Sequence, residues 1–195
     1  MSIRPQVRGF DLGRFGALFG SGDEAVVAEV EGRRARLHEG DSRPPSDGVE
    51  EAYRAILRRA VFEGVPFPEL AEESHLHVQV ANDLAATVQD AVNTDSDFWT
   101  WQAFRAFWQD HAASLDPRGR SLFSCFLKGR PVFGKKIASD IYYGYLNHND
   151  TATLRDSLQG LMVNLPDDAR AFAADMSGWL GAVVASERDL WFHFL

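Results

Sequence analysis

The sequence predicts a mainly helical α+β fold, with a single domain of about seven helices around a small β-sheet. Apolar residues recur with a period near 3.6 along most of the chain, which is typical of amphipathic helices. Capping residues, prolines and glycines separate these periodic segments. Two short stretches, 141–146 and 189–195, are instead rich in aromatic residues and typical of strands. A chain of 195 residues is long enough for one large domain.

Composition and charge exclude several classes of protein. The formal net charge of −8 argues against general nucleic-acid binding, which depends on neutralising phosphates, and favours either solubility or a basic partner. The one cysteine, Cys125, cannot form an internal disulfide, and its apolar neighbours indicate a buried, inert thiol. Charged residues interrupt the N-terminal segment, so it is not expected to be a secretory signal. No apolar run approaches the roughly 18 residues of a membrane span. We therefore expect a cytoplasmic protein, with no membrane partner and no cofactor.

The N-terminal segment is expected to form a short strand at 9–12 and a glycine-rich apolar turn at 15–19. Ser21 and Glu24 then fit the S-x-x-E capping box, which predicts a helix extending to about Leu37. The glycines of this region lack the G-x-G-x-x-G spacing of a dinucleotide-binding loop, so that function is excluded.

Residues 40–47 are predicted to be a surface loop, because two prolines, a glycine and small polar residues cannot continue a helix. The helix that follows is ended by Gly64 and Pro66. Its polar face carries three arginines, Arg54, Arg58 and Arg59. This basic face is either simply solvated or opposite acidic groups elsewhere in the chain.

His75 and His77 suggest a metal site as one interpretation. The two imidazoles would share a face on a strand, but on a helix they diverge by about 200°. The apolar spacing from Ser74 to Val92 predicts a helix, so two ordinary histidines in its first turns are favoured. The sequence fixes no further ligands, and no metal is predicted.

The most aromatic segment of the chain is predicted to be a helix at the centre of the core. Its apolar stripe contains Trp101, Phe104, Trp108 and His111, with Phe107 beside them. A stripe of this kind is also compatible with a cofactor or a partner. The next helix begins at Asp116-Pro117 and ends at Gly129.

Gly129, Gly134 and Lys135 match G-x-x-x-x-G-K, the opening of a phosphate-binding loop. Lys136 occupies the position where that loop requires Ser or Thr, and the order of the flanking strand and helix is reversed. We therefore favour a helix cap at Gly129 followed by an exposed basic corner.

The strand at 141–146 is expected to be covered on both faces, because neither set of alternating residues is polar. Gly144 within it suggests a bulge or a close approach by another backbone. Its tyrosines are favoured as packed core. The alternative is a cleft for an anionic ligand, with the candidate residues Arg130, Lys135, Lys136, Tyr142, Tyr143, Tyr145 and His148.

Two helices and a strand complete the chain. Asp150 is predicted to cap the first helix, and Pro166 to open the second. The apolar segment 189–195 would be unfavourable in water. We therefore expect it to pair with the strand at 141–146.

Four stretches also carry a resemblance to a known group. They are the opening FDLGRFGALFGSGDEAVV, the central GVPF and SDIYYGYL, and the ending GWLGAVVASERDLWFHFL. Together they resemble uncharacterised bacterial domains near the YfbM-like proteins. That group has an N-terminal D-L-x-x-x-x-x-L-x-G-S-G-D-x-x-L pattern and ends in a tryptophan-bearing helix and an aromatic strand. The resemblance implies a bacterial cytoplasmic protein of unassigned function, and it carries no site residue.

The sequence favours a non-enzymatic protein-interaction protein, such as an immunity or regulatory partner. The acidic charge, the aromatic core and the lack of a recognisable nucleophile, metal set or phosphate loop motivate this prediction. Two alternatives stay open. One is a small-molecule binding protein or enzyme with a cleft beside the tyrosine strand, and the other is a metal site at His75 and His77.

Overall fold

A computed structural model describes residues 5–39, 45–65, 67, 74–93, 99–132 and 143–194. Within these ranges the chain forms eight α-helices and one four-stranded antiparallel sheet, which confirms a mainly helical α+β fold. The helices are α1 (Leu12–Leu18), α2 (Glu24–His38), α3 (Asp47–Glu63), α4 (Ser74–Thr87), α5 (Trp101–His111), α6 (Pro117–Lys128), α7 (His148–Leu161) and α8 (Asp167–Ala185). The strands are β1 (Pro5–Phe10), β2 (Gln89–Asn93), β3 (Tyr143–Leu146) and β4 (Asp189–Phe194).

The prediction of about seven helices is wrong, since the described residues contain eight. The additional helix is α1, where the sequence predicted a glycine-rich turn at 15–19. Asp11 begins this helix, because its carboxylate accepts a hydrogen bond from the backbone N–H of Arg14 at 2.8 Å. Phe15 is fully buried. Its packing therefore outweighs the low helix propensity of the two glycines.

The elements group into two compact units. One unit combines all four strands with α5–α8, and the other contains α1–α4. The grouping does not decide the prediction of a single domain over residues 1–195, which stays a prediction. Most of the predicted surface loop 40–47 falls outside the described residues, although Asp47 already belongs to α3.

The sheet has the strand order β2-β1-β4-β3, and each neighbouring pair is antiparallel. The predicted pairing of the C-terminal strand with the tyrosine strand is confirmed. Tyr143 lies opposite His193, and Leu146 lies opposite Leu190. β1 pairs with the other edge of β4 along its whole length. β4 is therefore a central strand, which accounts for its apolar composition.

The first strand lies earlier in the chain than the sequence predicted. It was expected at 9–12, but β1 spans Pro5–Phe10, and Leu12 already begins α1. Pairing with β4 recruits the more polar N-terminal residues into the sheet, so tertiary pairing outweighs local strand propensity here.

The helix predicted from Ser74 to Val92 also ends early, at Thr87. Strand β2 follows it and pairs with β1. The spacing of Val88 and Val92 fits a helix, but β1 offers a free edge whose backbone groups need partners. The predicted helix therefore extended wrongly over β2, which is an edge strand.

One face of the sheet packs against α5–α8 and forms the main hydrophobic core of this unit. Leu190, Phe192 and Phe194 of β4 lie in that core, together with Val7 and Leu146 of the neighbouring strands. The helices contribute five buried aromatic rings, Phe104, Phe107, Phe123, Phe126 and Phe172. The prediction that the aromatic segment forms a core helix is confirmed by the first two of these rings, which belong to α5.

Gly144 allows the chain after α6 to approach β3 closely, as predicted. A Cβ atom at this position would lie 2.7 Å from the Cβ of Arg130 and 2.9 Å from Cζ of Phe192. The backbone N–H of Arg130 donates to the carbonyl oxygen of Tyr143 at 2.9 Å. Only glycine fits between these two neighbours.

The second unit is built from helices whose caps differ partly from those predicted. α2 begins at Asp23, whose carboxylate accepts from the backbone N–H of Ala25 at 2.9 Å. The predicted cap, Ser21, instead accepts from the N–H of Asp23. α3 ends as predicted at Gly64, where a φ of 64° gives the left-handed cap that favours glycine.

The arginine face of α3 pairs with acidic residues of α2. Arg58 makes two hydrogen bonds to Glu24, at 2.8 and 3.1 Å, and Arg54 lies 3.7 Å from Glu31. For these two arginines, the interpretation that they oppose acidic groups is confirmed. All four side chains are largely exposed, so water screens both pairs and they contribute little to stability.

Replacing Gly144 with alanine is expected to lower the free energy of unfolding by about 1–3 kcal/mol, the usual cost of overpacking. The added methyl group would clash with Arg130 and Phe192. The matched control is Gly160→Ala in α7, where an added Cβ meets nothing within 4 Å, so stability should stay equal or rise. Urea unfolding of both variants checks this. Equal stability of Gly144→Ala and the parent protein would contradict the close approach.

Candidate functional site

Arg130, the described arginine of the predicted basic corner, is already engaged by protein groups. Its Nη1 donates to Oδ2 of Asp150 at 2.9 Å and to the carbonyl oxygen of Tyr145 at 3.2 Å. Its guanidinium carbon also lies 4.9 Å from the centre of the Tyr145 ring. These contacts give Arg130 a structural role in holding β3 against α7.

Asp150 is the centre of this arrangement. It was predicted to cap α7, but the cap is Asn147, whose side chain accepts from the backbone N–H of Asp150 at 2.8 Å. The Asp150 side chain is 6% exposed and accepts from both Arg118 and Arg130. A buried carboxylate of this kind is stabilised by its cationic neighbours, because little water reaches it.

The tyrosines and His148 of the predicted anionic-ligand cleft are partly or fully buried where the structure describes them. Tyr143 is buried, and Tyr145 is partly buried under Arg130. The backbone N–H of His148 donates to Oδ1 of Asp189 at 2.8 Å, which joins the start of α7 to β4. The Nδ1 atom of His148 is buried and has no hydrogen-bond partner among the described residues. The remaining candidates, Lys135, Lys136 and Tyr142, lie outside the described residues.

His75 and His77 lie in the first turns of α4, as the helical interpretation predicts. His75 is exposed, whereas the ring of His77 packs edge-on against Phe67 with 5.9 Å between centres. In the described parts of the chain, no group of three or more His, Cys, Asp or Glu is placed to hold a metal ion. Metal binding by these two histidines is an interpretation that no observed contact favours.

Cys125 has the environment of an unreactive thiol. It is partly buried in α6, and its Sγ lies 3.7 Å from the carbonyl oxygen of Ser121. Burial raises the pKa of the Cys125 thiol, and the nearby Arg118 and Arg130 only partly oppose this. A raised pKa leaves little thiolate at neutral pH, so Cys125 is a poor nucleophile.

A buried polar network joins α2, α3 and α4 in the second unit. Arg34 makes a bidentate pair with Glu50, and its guanidinium carbon lies 4.0 Å from the centre of the Tyr53 ring. Tyr53 donates to Asp83 at 2.6 Å, and burial, reinforced by that carboxylate, raises the pKa of the phenol. The hydrogen bond from Arg34 lowers the pKa of Glu50. Since these groups satisfy one another, the network is best explained as helix packing.

A surface groove between α5 and α8 was not predicted from the sequence. We call it the α5–α8 groove, and its volume is about 230 Å³. It is lined by Trp99, Ala103, Ala106, Phe107, Asp110, His111, Asp168, Ala169, Ala171 and Phe172. Four of these residues, Ala106, Asp110, Asp168 and Ala171, are exposed and form its rim.

Aromatic rings form the floor and one wall of the α5–α8 groove. Phe107 and Phe172 are buried beneath it, with ring centres 4.8 Å apart. Trp99 stands beside Phe172 in an edge contact at 5.2 Å. The indole N–H of Trp99 donates to Asp175 at 2.9 Å, which fixes the ring in place. The groove is therefore formed before any ligand arrives.

The rim of the α5–α8 groove is acidic. Asp110 lies in the last turn of α5, and its carboxylate forms no hydrogen bond or ion pair with any other described residue. Asp168 lies in the first turn of α8 and accepts only from the backbone N–H of Ala169. A carboxylate from each helix thus borders an apolar floor, which suits a ligand that is both apolar and cationic.

One feature of the sequence is consistent with this groove, although it does not by itself predict one. The residues that open it are alanines, at positions 103, 106, 169 and 171, next to the aromatic stripes of their helices. Small side chains beside large rings leave space that the core does not fill. Helical periodicity assigns the apolar stripes of α5 and α8 to the core. It does not show which end of each stripe is left uncovered by the other helix.

No protein-family model, curated protein or solved structure matches this chain. The resemblance to domains near the YfbM-like proteins therefore stays a prediction. Among the described residues, no helix combines the length and apolar character needed to cross a membrane.

Replacing Asp150 with asparagine should lower the free energy of unfolding by about 1–3 kcal/mol, because the buried side chain would lose its charge-assisted hydrogen bonds with Arg118 and Arg130. The control is Asp156→Asn on the same helix, where the carboxylate is 62% exposed and pairs with Arg155. That control should change stability by less than about 0.5 kcal/mol. Urea unfolding measures both. Equal effects of the two substitutions would contradict the central role of Asp150.

His193 makes stability sensitive to mildly acidic pH. It is 3% exposed in β4, and its Nδ1 has no hydrogen-bond partner among the described residues. Burial, with a smaller contribution from the charge of Arg8, lowers the pKa of His193 to about 4, from an ordinary value of 6.5. Between these values only the unfolded chain takes up the proton.

Stability should therefore fall as pH falls from about 6.5 to 4, by up to about 3 kcal/mol in total from this histidine. His193→Leu should flatten this decline, while His75→Gln, at an exposed position, should preserve it. The lowered pKa values of Glu50 and Asp116 act at still lower pH, below ordinary values of 4.5 and 3.8. Urea unfolding at pH 7, 6 and 5 distinguishes the variants. An unchanged decline in His193→Leu would contradict this assignment.

Proposed function

We propose that the protein is a non-enzymatic protein-interaction protein that binds a basic segment of a partner in the α5–α8 groove. The observation that carries the proposal is the combination of a preformed aromatic floor with an acidic rim on an acidic chain. Grooves between helices commonly receive apolar side chains of a partner. Charge complementarity then selects the partner and speeds encounter. An immunity or regulatory role in the bacterial cytoplasm, suggested by the resemblance and by the single cysteine, belongs to the same proposal.

The net charge determines the sign of the partner. A chain with a formal charge of −8 attracts basic surfaces over a distance set by ionic strength, about 10 Å at 0.1 M salt. Asp110 and Asp168 concentrate that charge beside the apolar floor of the groove. An anionic partner would meet repulsion at both positions.

An anionic-ligand cleft beside the tyrosine strand is the less supported alternative. Of its described residues, Tyr143 is buried and Arg130 already pairs with Asp150. An anion would have to compete with that carboxylate for the guanidinium. The groove requires no such displacement.

The test uses a fluorescent peptide of alternating arginine and leucine as the probe, with alternating glutamate and leucine as the charge control. The basic peptide should bind, and its affinity should fall as salt rises, because the attraction is partly screened. Ala106→Trp fills the groove from its exposed rim and should weaken binding at least tenfold. Ala182→Trp, at an exposed position further along α8, should leave it unchanged. Fluorescence anisotropy measures both variants.

Three results would contradict the proposal. They are failure of the basic peptide to bind, equal binding of the acidic peptide, and equal binding by Ala106→Trp and Ala182→Trp. Circular dichroism of each variant confirms that the helices are intact, so that a loss of binding reports on the groove.

A further inference from the structure

We infer that the anchor received by the α5–α8 groove is a single arginine side chain of the partner. This inference rests on the proposed function, because it names the chemistry recognised at the same site. The aliphatic part of the arginine lies on Phe107 and Phe172, and its guanidinium lies between the carboxylates of Asp110 and Asp168.

The size of the groove suits one long side chain. Its volume of about 230 Å³ is smaller than the roughly 300–1,000 Å³ of typical small-molecule pockets. A single side chain is therefore a better match for it than a drug-sized ligand.

The apolar floor favours a weakly hydrated cation. The rings of Phe107 and Phe172 lie beneath the groove, with centres 4.8 Å apart and planes tilted by 31°. The guanidinium of arginine is weakly hydrated and therefore loses less on leaving water beside this floor than the compact, strongly hydrated ammonium of lysine. The fixed Trp99 ring reduces the entropy cost of binding, because the wall is already ordered.

The carboxylates favour a group with several donors. Asp110 has no other polar partner among the described residues, and Asp168 uses Oδ1 for its own helix and leaves Oδ2 available. Guanidinium donates five N–H groups in a fixed fork and can therefore reach two carboxylates at once. The α5 end of the groove is the negative end of a helix dipole and the α8 end is the positive end, so these partial charges largely cancel.

The experiment compares four peptides of the form acetyl-Gly-Ser-Xaa-Ser-Gly-amide, with arginine, lysine, citrulline or leucine as the central residue. Citrulline keeps the shape of arginine and removes its charge. NMR titration at pH 8, above the ordinary histidine pKa of about 6.5, follows the indole N–H of Trp99. The arginine peptide should bind in the millimolar range, several-fold more tightly than lysine and at least tenfold more tightly than citrulline or leucine.

Two variants form a matched pair for the carboxylate contact. Asp168→Asn should weaken binding of the arginine peptide at least fivefold. Asp167→Asn, one residue earlier in α8, should leave it unchanged, because the Asp167 side chain is 96% exposed and pairs with Arg170 instead. Asp110→Asn should resemble Asp168→Asn.

Equal binding of the arginine and citrulline peptides, or tightest binding of the leucine peptide, would overturn the inference. The proposed function survives that result if the arginine–leucine probe still binds and is still blocked by Ala106→Trp. If neither that probe nor the arginine peptide perturbs the groove, both the inference and the proposed function fail.

Discussion

The sheet-containing unit depends on the ion pairs that the Asp150 carboxylate forms with two arginines. The carboxylate is buried in α7 and accepts from Arg118 of α6 and from Arg130 just beyond that helix. The backbone of Arg130 is in turn hydrogen-bonded to β3, where Gly144 leaves room for it. One carboxylate thus fixes two helices and a strand. Since little water reaches this carboxylate, the loss of either arginine would leave its charge less well compensated.

The rings beneath the α5–α8 groove belong to a core that also includes α6, the helix that carries Arg118. Phe123 and Phe126 of α6 contact the Phe104 ring, and Phe104 in turn contacts Phe172 of α8. Phe107 and Phe172 serve the core on one side and the groove on the other. Because close-packed rings cannot shift independently, the floor is set by folding and not by the ligand. Such preorganisation lowers the entropy cost of binding.

The sequence predicted the fold class, the core helix α5, the pairing of β4 with β3 and the close approach at Gly144, because periodicity and glycine chemistry are local signals. It missed α1, whose buried Phe15 outweighs weak helix propensity, and β2, whose pairing with β1 outweighs a helical pattern. It placed Arg130 in a basic corner, since the partner Asp150 lies 20 residues away and spacing does not reveal the pair.

The α5–α8 groove was not predicted either, because it too depends on contacts between residues that are distant in sequence. An apolar stripe indicates which face of a helix is buried, but neither the stripe of α5 nor that of α8 shows where the two cease to cover each other. The acidic composition favours a basic partner, which stays a prediction. The position where that charge meets an apolar surface follows only from the packing of two helices distant in sequence.

The most direct test of the central claim is site-specific photo-crosslinking in the native host. A photoreactive benzoylphenylalanine at position 106 lies on the rim of the groove, and one at position 182 provides the control. The account predicts that only position 106 crosslinks to a partner protein, and that peptide mass spectrometry locates the crosslink beside an arginine in a basic segment. A crosslink to a segment without basic residues, or identical products from both positions, would contradict it.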